Sequence, residues 1–135
     1  MSVIKSKRKE SDTQFLHTAR ELHVMTFRKC SHFPVRFRQY ADRHVLSKTA
    51  RIMDCVNGAN RIYPLVKSEA QTRRELFLAA QSEIAELVKQ IEFLAEVMGV
   101  EKAIYAEWME LIDYEDRLIR GILKKDRERY KTLPD

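Results

Sequence analysis

One apolar seam in the second half of the chain restricts its fold more than any other feature. Its members are separated alternately by three and four positions: Phe77, Ala80, Ile84, Leu87, Ile91, Leu94 and Met98. This spacing places all of them on one face of an α-helix. Ser68 and Gln71 match a capping box at its start, and Gly99 is a natural C-terminal cap. A helix this long needs apolar partners along its whole seam, which favours a fold made of several long helices.

Helix-breaking residues are rare and lie between the helical patterns. The chain has three Gly and three Pro among 135 residues, and the prolines are at positions 34, 64 and 134. Four helices are therefore expected, from Ser11 or Asp12 to residues 31–33, from Pro34 to Pro64, from Ser68 to Gly99, and from Glu101 or Lys102 to about Lys125. Their short connections predict an all-α, antiparallel, up-down-up-down four-helix bundle over residues 11–130. Residues 1–10 are expected to form a flexible basic arm, and residues 131–135 a C-terminal tail.

The other three helices carry their own inward stripes. The members are Phe15, Ala19, Leu22 and Thr26, then Phe37, Ala41, Val45, Lys48, Ile52, Val56, Ala59 and Tyr63, and finally Ile104, Trp108, Leu111, Glu115, Leu118 and Ile122. Arg73 extends the seam by one turn, and Glu115 lies within the last stripe. Because an unpaired buried charge is expensive, each needs a partner or an interface. Antiparallel packing predicts Arg20 or Lys48 beside Glu115, and Asn57 or Asn60 beside Arg73.

Charge is distributed unevenly along the chain. The net charge is +5, but residues 1–64 hold 13 Lys and Arg against 5 Asp and Glu. Residues 69–116 reverse this balance, with 4 basic and 12 acidic residues, and residues 117–131 are basic again, with 7 against 2. A basic first half and a basic end indicate a polyanionic partner, while the bland alternative is an ordinary solvated surface.

The candidate binding residues are cations on the outer faces of the first two helices. They are Arg20, Arg28 and Lys29 on the first helix, and Arg36, Arg38, Arg43 and Arg51 on the second. Guanidinium groups make charge-assisted and often bidentate contacts with phosphate. Such a face predicts nucleic-acid binding that is weakly sequence-specific and strongly salt-dependent.

No catalytic, metal or cofactor motif accompanies these cations. The four histidines, His17, His23, His32 and His44, do not place two rings on one helix face at a spacing of four, and three scattered glycines cannot form a phosphate loop. We therefore expect no enzyme activity, no metal and no cofactor. Cys30 and Cys55 are expected to be reduced thiols. The absence of a long apolar run and of a signal core predicts a cytoplasmic protein that does not enter membranes.

Three short segments resemble a known bacterial family of four-helix bundles. They are Ala59-Asn60-Arg61-Ile62-Tyr63-Pro64, Glu69-Ala70-Gln71-Thr72-Arg73-Arg74 and Glu107-Trp108-Met109-Glu110-Leu111-Ile112. The family includes the accessory variability determinant (Avd) of diversity-generating retroelements and the proteins encoded in intervening sequences of large-subunit ribosomal RNA. The resemblance covers roughly residues 12–125.

The resemblance implies a homopentameric barrel and an accessory role. In that role the protein binds the retroelement's reverse transcriptase and its template RNA or the cDNA copied from it, during mutagenic copying. It adds Arg61, Arg73 and Arg74 to the candidate nucleic-acid-binding residues. The acidic stretch of residues 69–116 departs from a uniformly basic Avd. It suits either a basic reverse transcriptase or a scaffold of the ribosomal intervening-sequence type with no retroelement role.

Overall fold

The structure, a computed structural model, describes residues 12–135. Over that range it is all-helical, without a strand. Its elements are α1 (Gln14–Ser31), α2 (Val35–Ala41), a π-helical turn (Asp42–Leu46), α3 (Ser47–Asn60), α4 (Lys67–Met98), a short 3₁₀ turn (Lys102–Tyr105) and α5 (Ala106–Arg129). Since α2, the π turn and α3 follow one another without a break, the chain forms four helical rods, as predicted. The predicted basic arm, residues 1–10, lies outside the described residues.

The four rods enclose one apolar core. Both α1 and α4 pack against α3 and α5, so the contacts close into a ring. The buried seam of α4 includes Phe77, whose ring meets Phe15 edge-on at 5.5 Å between centroids. Trp108 is fully buried, and its indole N–H donates to the Thr26 hydroxyl at 2.9 Å. In the described part of the chain, no helix is both long enough and apolar enough to cross a membrane.

The helix ends follow the sequence signals only in part. Gly99 ends α4 in the left-handed region at φ 69°, and Pro34 immediately precedes α2. The predicted capping box of Ser68 and Gln71 is wrong, because α4 begins at Lys67 and Ser68 therefore lies inside the helix. Instead the Glu69 carboxylate accepts from the backbone N–H of Leu65 at 2.8 Å and of Val66 at 3.3 Å.

The π turn changes which residue of the second rod enters the core. A π turn closes its hydrogen bonds over five residues instead of four, so it holds one residue more than an α turn. The buried positions therefore run from Ala41 through Val45 to Thr49, at steps of four. Lys48, predicted on the inward stripe, lies at its edge and bonds Glu86 at 2.7 Å. Thr49 takes the core position and contacts His23 Nδ1 through its hydroxyl at 2.8 Å.

The last helix continues further than predicted. Apolar residues become sparse after Lys125, yet α5 extends to Arg129. Asp126 explains the extension, since it is buried and ion-paired, and its carbonyl accepts from the Tyr130 N–H at 2.9 Å. The final residues return to the start of α4, where the Lys67 N–H donates to the Pro134 carbonyl at 2.9 Å.

Glu115 is buried without a partner. Its side chain is inward, as the stripe predicts, but the predicted pairing with Arg20 or Lys48 is wrong. Both carboxyl oxygens lack a hydrogen-bond partner among the described residues, and the residue is 0% exposed. Burial, with a smaller contribution from the charge of Asp116, raises the pKa of Glu115 from 4.5 to about 9. The folded chain therefore holds this carboxyl in its neutral form at neutral pH.

We expect Glu115 to make stability fall as pH rises. Between 4.5 and about 9 the folded chain binds one proton more than the unfolded chain. The free energy of unfolding should therefore decrease by about 1.4 kcal/mol per pH unit in that range. The free energy of unfolding should be measured with urea at pH 6 and at pH 8. The wild type should lose about 2–3 kcal/mol more than Glu115→Gln when the pH is raised from 6 to 8. A constant difference between the two proteins would show that Glu115 is already ionised when folded.

Candidate nucleic-acid interface

A groove beside α1 brings three of the predicted cations together. It lies between the C-terminal half of α1 and the start of α5 and encloses about 790 Å³. Arg20, Arg28 and Lys29 line it, with the carboxylates of Glu21 and Glu107 among them. Apolar side chains also line the groove, including Val24, Met25, Phe33, Met98, Ile104 and Leu111. The groove thus combines an apolar surface with cations from three positions of one helix.

The four arginines of the second rod are all exposed but differ in their surroundings. Arg36 and Arg43 bond no carboxylate within residues 12–135, and the Arg36 guanidinium lies 4.8 Å from the centre of the Phe37 ring. Arg38 has a structural contact, since its Nε donates to the Phe33 carbonyl at 2.8 Å. Arg51 bonds Glu83 at 3.1 Å, although its side chain is 72% exposed. Arg36 and Arg43 are therefore the most available of the four for an external phosphate.

The junction segment, residues 59–74, holds the three residues that the family resemblance adds. Arg61 is exposed. Arg74 is half-buried and lines a cleft of about 360 Å³ with Lys67, Arg127 and Lys131. Arg73 differs from both, because it is only 8% exposed. Its predicted place on a nucleic-acid surface needs correction, since its guanidinium is directed into the protein.

Arg73 binds three parts of the chain. Its Nε donates to Asp126 Oδ2 at 2.6 Å. Its Nη1 donates to the carbonyls of Ala59 at 3.1 Å and Ile62 at 3.3 Å, at the C-terminal end of α3. Arg73 lies at the predicted position along the bundle axis, near the C-terminal end of α3. Its partners, however, are main-chain carbonyls and an aspartate of α5, rather than Asn57 or Asn60. Arg73 thereby fixes the junction segment to both α4 and α5.

A second cleft at this end contains residues that were not among the predicted site residues. It encloses about 370 Å³, and its lining includes Arg117, Lys125 and Arg129 from α5 together with Tyr63 and Tyr130. The available signal was the charge reversal at residues 117–131. That signal marks a basic helix end but does not show that it meets the junction segment.

Eight of the ten predicted residues form no ion pair within the described part of the chain. The exceptions are Arg51 and Arg73. Elsewhere, cations at Lys48, Lys67, Arg117, Arg120, Lys125 and Lys131 do bond carboxylates. The predicted set is therefore made largely of cations whose charge no neighbouring carboxylate neutralises by direct contact.

The described residues show no arrangement suited to metal or thiol chemistry. Among them, His, Cys, Asp and Glu side chains form no group of three that could hold a metal ion. Burial, with a smaller effect from Asp42, raises the pKa of the Cys30 thiol to about 12. Cys55 also has a raised pKa, mainly through burial. Both thiols therefore stay protonated at neutral pH, and a thiol is a poor nucleophile.

Comparison with protein-family models gives no match, and neither do comparisons with curated proteins and with solved structures. The likeness to the Avd family therefore rests on the three sequence segments, and its functional implications remain predictions.

We expect Arg73→Met to destabilise the bundle strongly. It would leave the buried Asp126 carboxylate unpaired, which typically costs about 3–5 kcal/mol. Arg117→Met is the matched control, because its pair with Asp113 is 63% and 64% exposed. An exposed pair of that kind contributes at most about 1 kcal/mol. Urea unfolding of both variants measures the contrast, and equal losses would contradict a structural role for the Arg73 pair.

Proposed function

We propose that this protein is a non-catalytic, nucleic-acid-binding accessory protein of a diversity-generating retroelement. The observation that carries nucleic-acid binding is the set of eight predicted cations without an ion-pair partner in the described structure. A phosphate backbone supplies the missing counter-charges, and no rearrangement of internal ion pairs is needed. The resemblance at residues 59–74 and 107–112 supports the retroelement as the setting and template RNA or its cDNA as the polyanion.

The acidic side of the bundle suits the reverse transcriptase. A groove of about 530 Å³ lies between α4 and α5. Three carboxylates, of Glu92, Asp113 and Asp116, line it against one cation, Lys89, together with apolar side chains that include Val88 and Met109. Such a surface repels phosphate but complements a basic protein. The proposal therefore assigns nucleic acid to the basic faces and the polymerase to the acidic groove, which would allow both partners to bind at once.

We also propose that the four helical rods alternate in direction, in an up-down-up-down order. Tyr40 meets Gln90, Arg51 meets Glu83 and Ala59 meets Arg73, so residue numbers rise along one rod as they fall along the other. The pairs Thr26 with Trp108 and Asp12 with Lys125 relate α1 and α5 in the same way. These contacts support antiparallel neighbours.

The proposal also includes a homopentamer in the cytoplasm. Several large apolar side chains are exposed on the isolated subunit, among them Phe27, Val35, Leu65, Phe93 and Val97. Contacts between subunits would remove such surface from water. The number of subunits comes from the family resemblance.

The alternative is a scaffold of the ribosomal intervening-sequence type without a retroelement role. The acidic α4–α5 groove favours it, because a surface of this kind does not contribute to RNA binding. In that case the protein should assemble as proposed but show no affinity for structured RNA at low salt.

Salt-dependent RNA binding tests the proposal. Arg28→Gln with Arg36→Gln should weaken binding to a structured RNA. It should also reduce the slope of log K against log salt by about 0.7–0.9 for each phosphate contact removed. Lys89→Gln with Lys102→Gln is the matched control, since it removes the same charge from exposed positions outside the predicted set. Filter binding at several salt concentrations measures both variants.

The possible results separate the two functions. Loss of affinity in the arginine variant alone, with the oligomer intact by light scattering, supports the retroelement accessory. Equal losses of RNA affinity in both variants would show that binding depends on net charge alone. If the wild-type protein binds no RNA, the scaffold function is the one that remains.

A further inference from the structure

Tyr63 stands exposed beside the cationic cleft at the junction end. It is 80% exposed, although the residue that follows, Pro64, is buried. Tyr63 continues the spacing of the second stripe, but the sequence predicts it as less clearly inward and able to meet a partner. In the structure α3 ends at Asn60, and the Tyr63 ring lies outside the core. An exposed aromatic ring offers a flat apolar face on which a planar ligand can stack. The adjoining cleft offers cations from α5 and the amide side chain of Asn60.

The position of this ring is fixed by the backbone that carries it. Arg73 holds the carbonyls of Ala59 and Ile62, and the Ile62 N–H donates to the Ala59 carbonyl at 3.1 Å. On the other side, Glu69 holds the N–H groups of Leu65 and Val66. Tyr63 therefore extends from a segment that is anchored before and after it. A fixed backbone lowers the entropy lost when a ligand stacks on the ring.

The cations of the cleft remain open to an incoming phosphate. Lys125 forms only a long ion pair with Asp12, at 3.8 Å, and Arg117 forms an exposed ion pair with Asp113. Arg129 bonds no carboxylate in the described part of the chain, and its guanidinium lies 5.8 Å from the centre of the Tyr130 ring. Exposed ion pairs contribute little, so a phosphate can replace Asp12 or Asp113 at small cost.

We propose that this cleft binds one unpaired nucleotide of a single strand, with the base stacked on Tyr63 and the phosphate held by Arg129 and Lys125. The inference rests on the proposed function, because it specifies which form of nucleic acid this end of the bundle selects. A volume of about 370 Å³ is within the range of small-ligand sites. Bases inside a duplex are stacked on each other and cannot present a face to Tyr63. Single strands can do so, and stacking on an aromatic side chain tolerates any base.

Fluorescence anisotropy with a labelled single-stranded RNA and with the matching duplex tests the inference. Tyr63→Ala should weaken single-strand binding roughly 5- to 100-fold and leave duplex binding unchanged. Tyr63→Phe should keep wild-type affinity, because it retains the ring face. Leu78→Ala is the control, since Leu78 is also an exposed large apolar residue, at 40%, but lies on acidic α4 and has no ring on which a base could stack. It should change neither affinity.

The outcomes distinguish this inference from the proposed function. If the wild type binds RNA and Tyr63→Ala changes nothing, the cleft is not the site, while nucleic-acid binding stands. Equal weakening of single-strand and duplex binding by Tyr63→Ala would overturn the preference for unpaired bases. No binding of either RNA by the wild type would remove both proposals.

Discussion

The ion pair of Arg73 and Asp126 is the contact on which the junction end of this bundle depends. It joins two helices at positions 53 residues apart, and the same guanidinium also holds the last carbonyls of α3. Charges in such a position gain little net stability, because their desolvation offsets much of their attraction. What such a pair can add is specificity. A misaligned helix would leave a buried charge without its partner, so the pair selects one register for α4 against α5.

The periodic features of the sequence predicted most of the fold. The seam from Phe77 to Leu94 and the cap at Gly99 depend on contacts within one helix, which local spacing expresses directly. Partners across the bundle were not predictable in the same way. Arg73 was placed at the correct level, yet Asp126 was assigned to a fraying end because few apolar residues surround it. Glu115 has no partner in the described chain, and spacing cannot reveal that a carboxyl is buried in its neutral form.

The sequence predicted which individual residues of the candidate interface are exposed, but it did not predict how they group into one surface. Helical phase correctly placed cations such as Arg28 and Arg36 on the outside, since outward positions follow from the apolar stripe. That Arg20, Arg28 and Lys29 share one groove depends on where α5 begins, which is a tertiary fact. Tyr63 continues the spacing of the second stripe, so spacing left its direction open, and the end of α3 at Asn60 leaves it exposed.

The π turn at Asp42–Leu46 separates the surface of the second rod from its interior. Because it accommodates one residue more than an α turn, the sequence could lose a residue there and continue as an ordinary helix, with Ala41 and Ile52 still facing the core. What would change is the surface on that turn. His44 now stacks on Tyr40 with 4.3 Å between ring centres, and Tyr40 also contacts Phe93. The extra residue of this turn therefore supports an aromatic group on the surface of the rod while its interior positions keep facing the core.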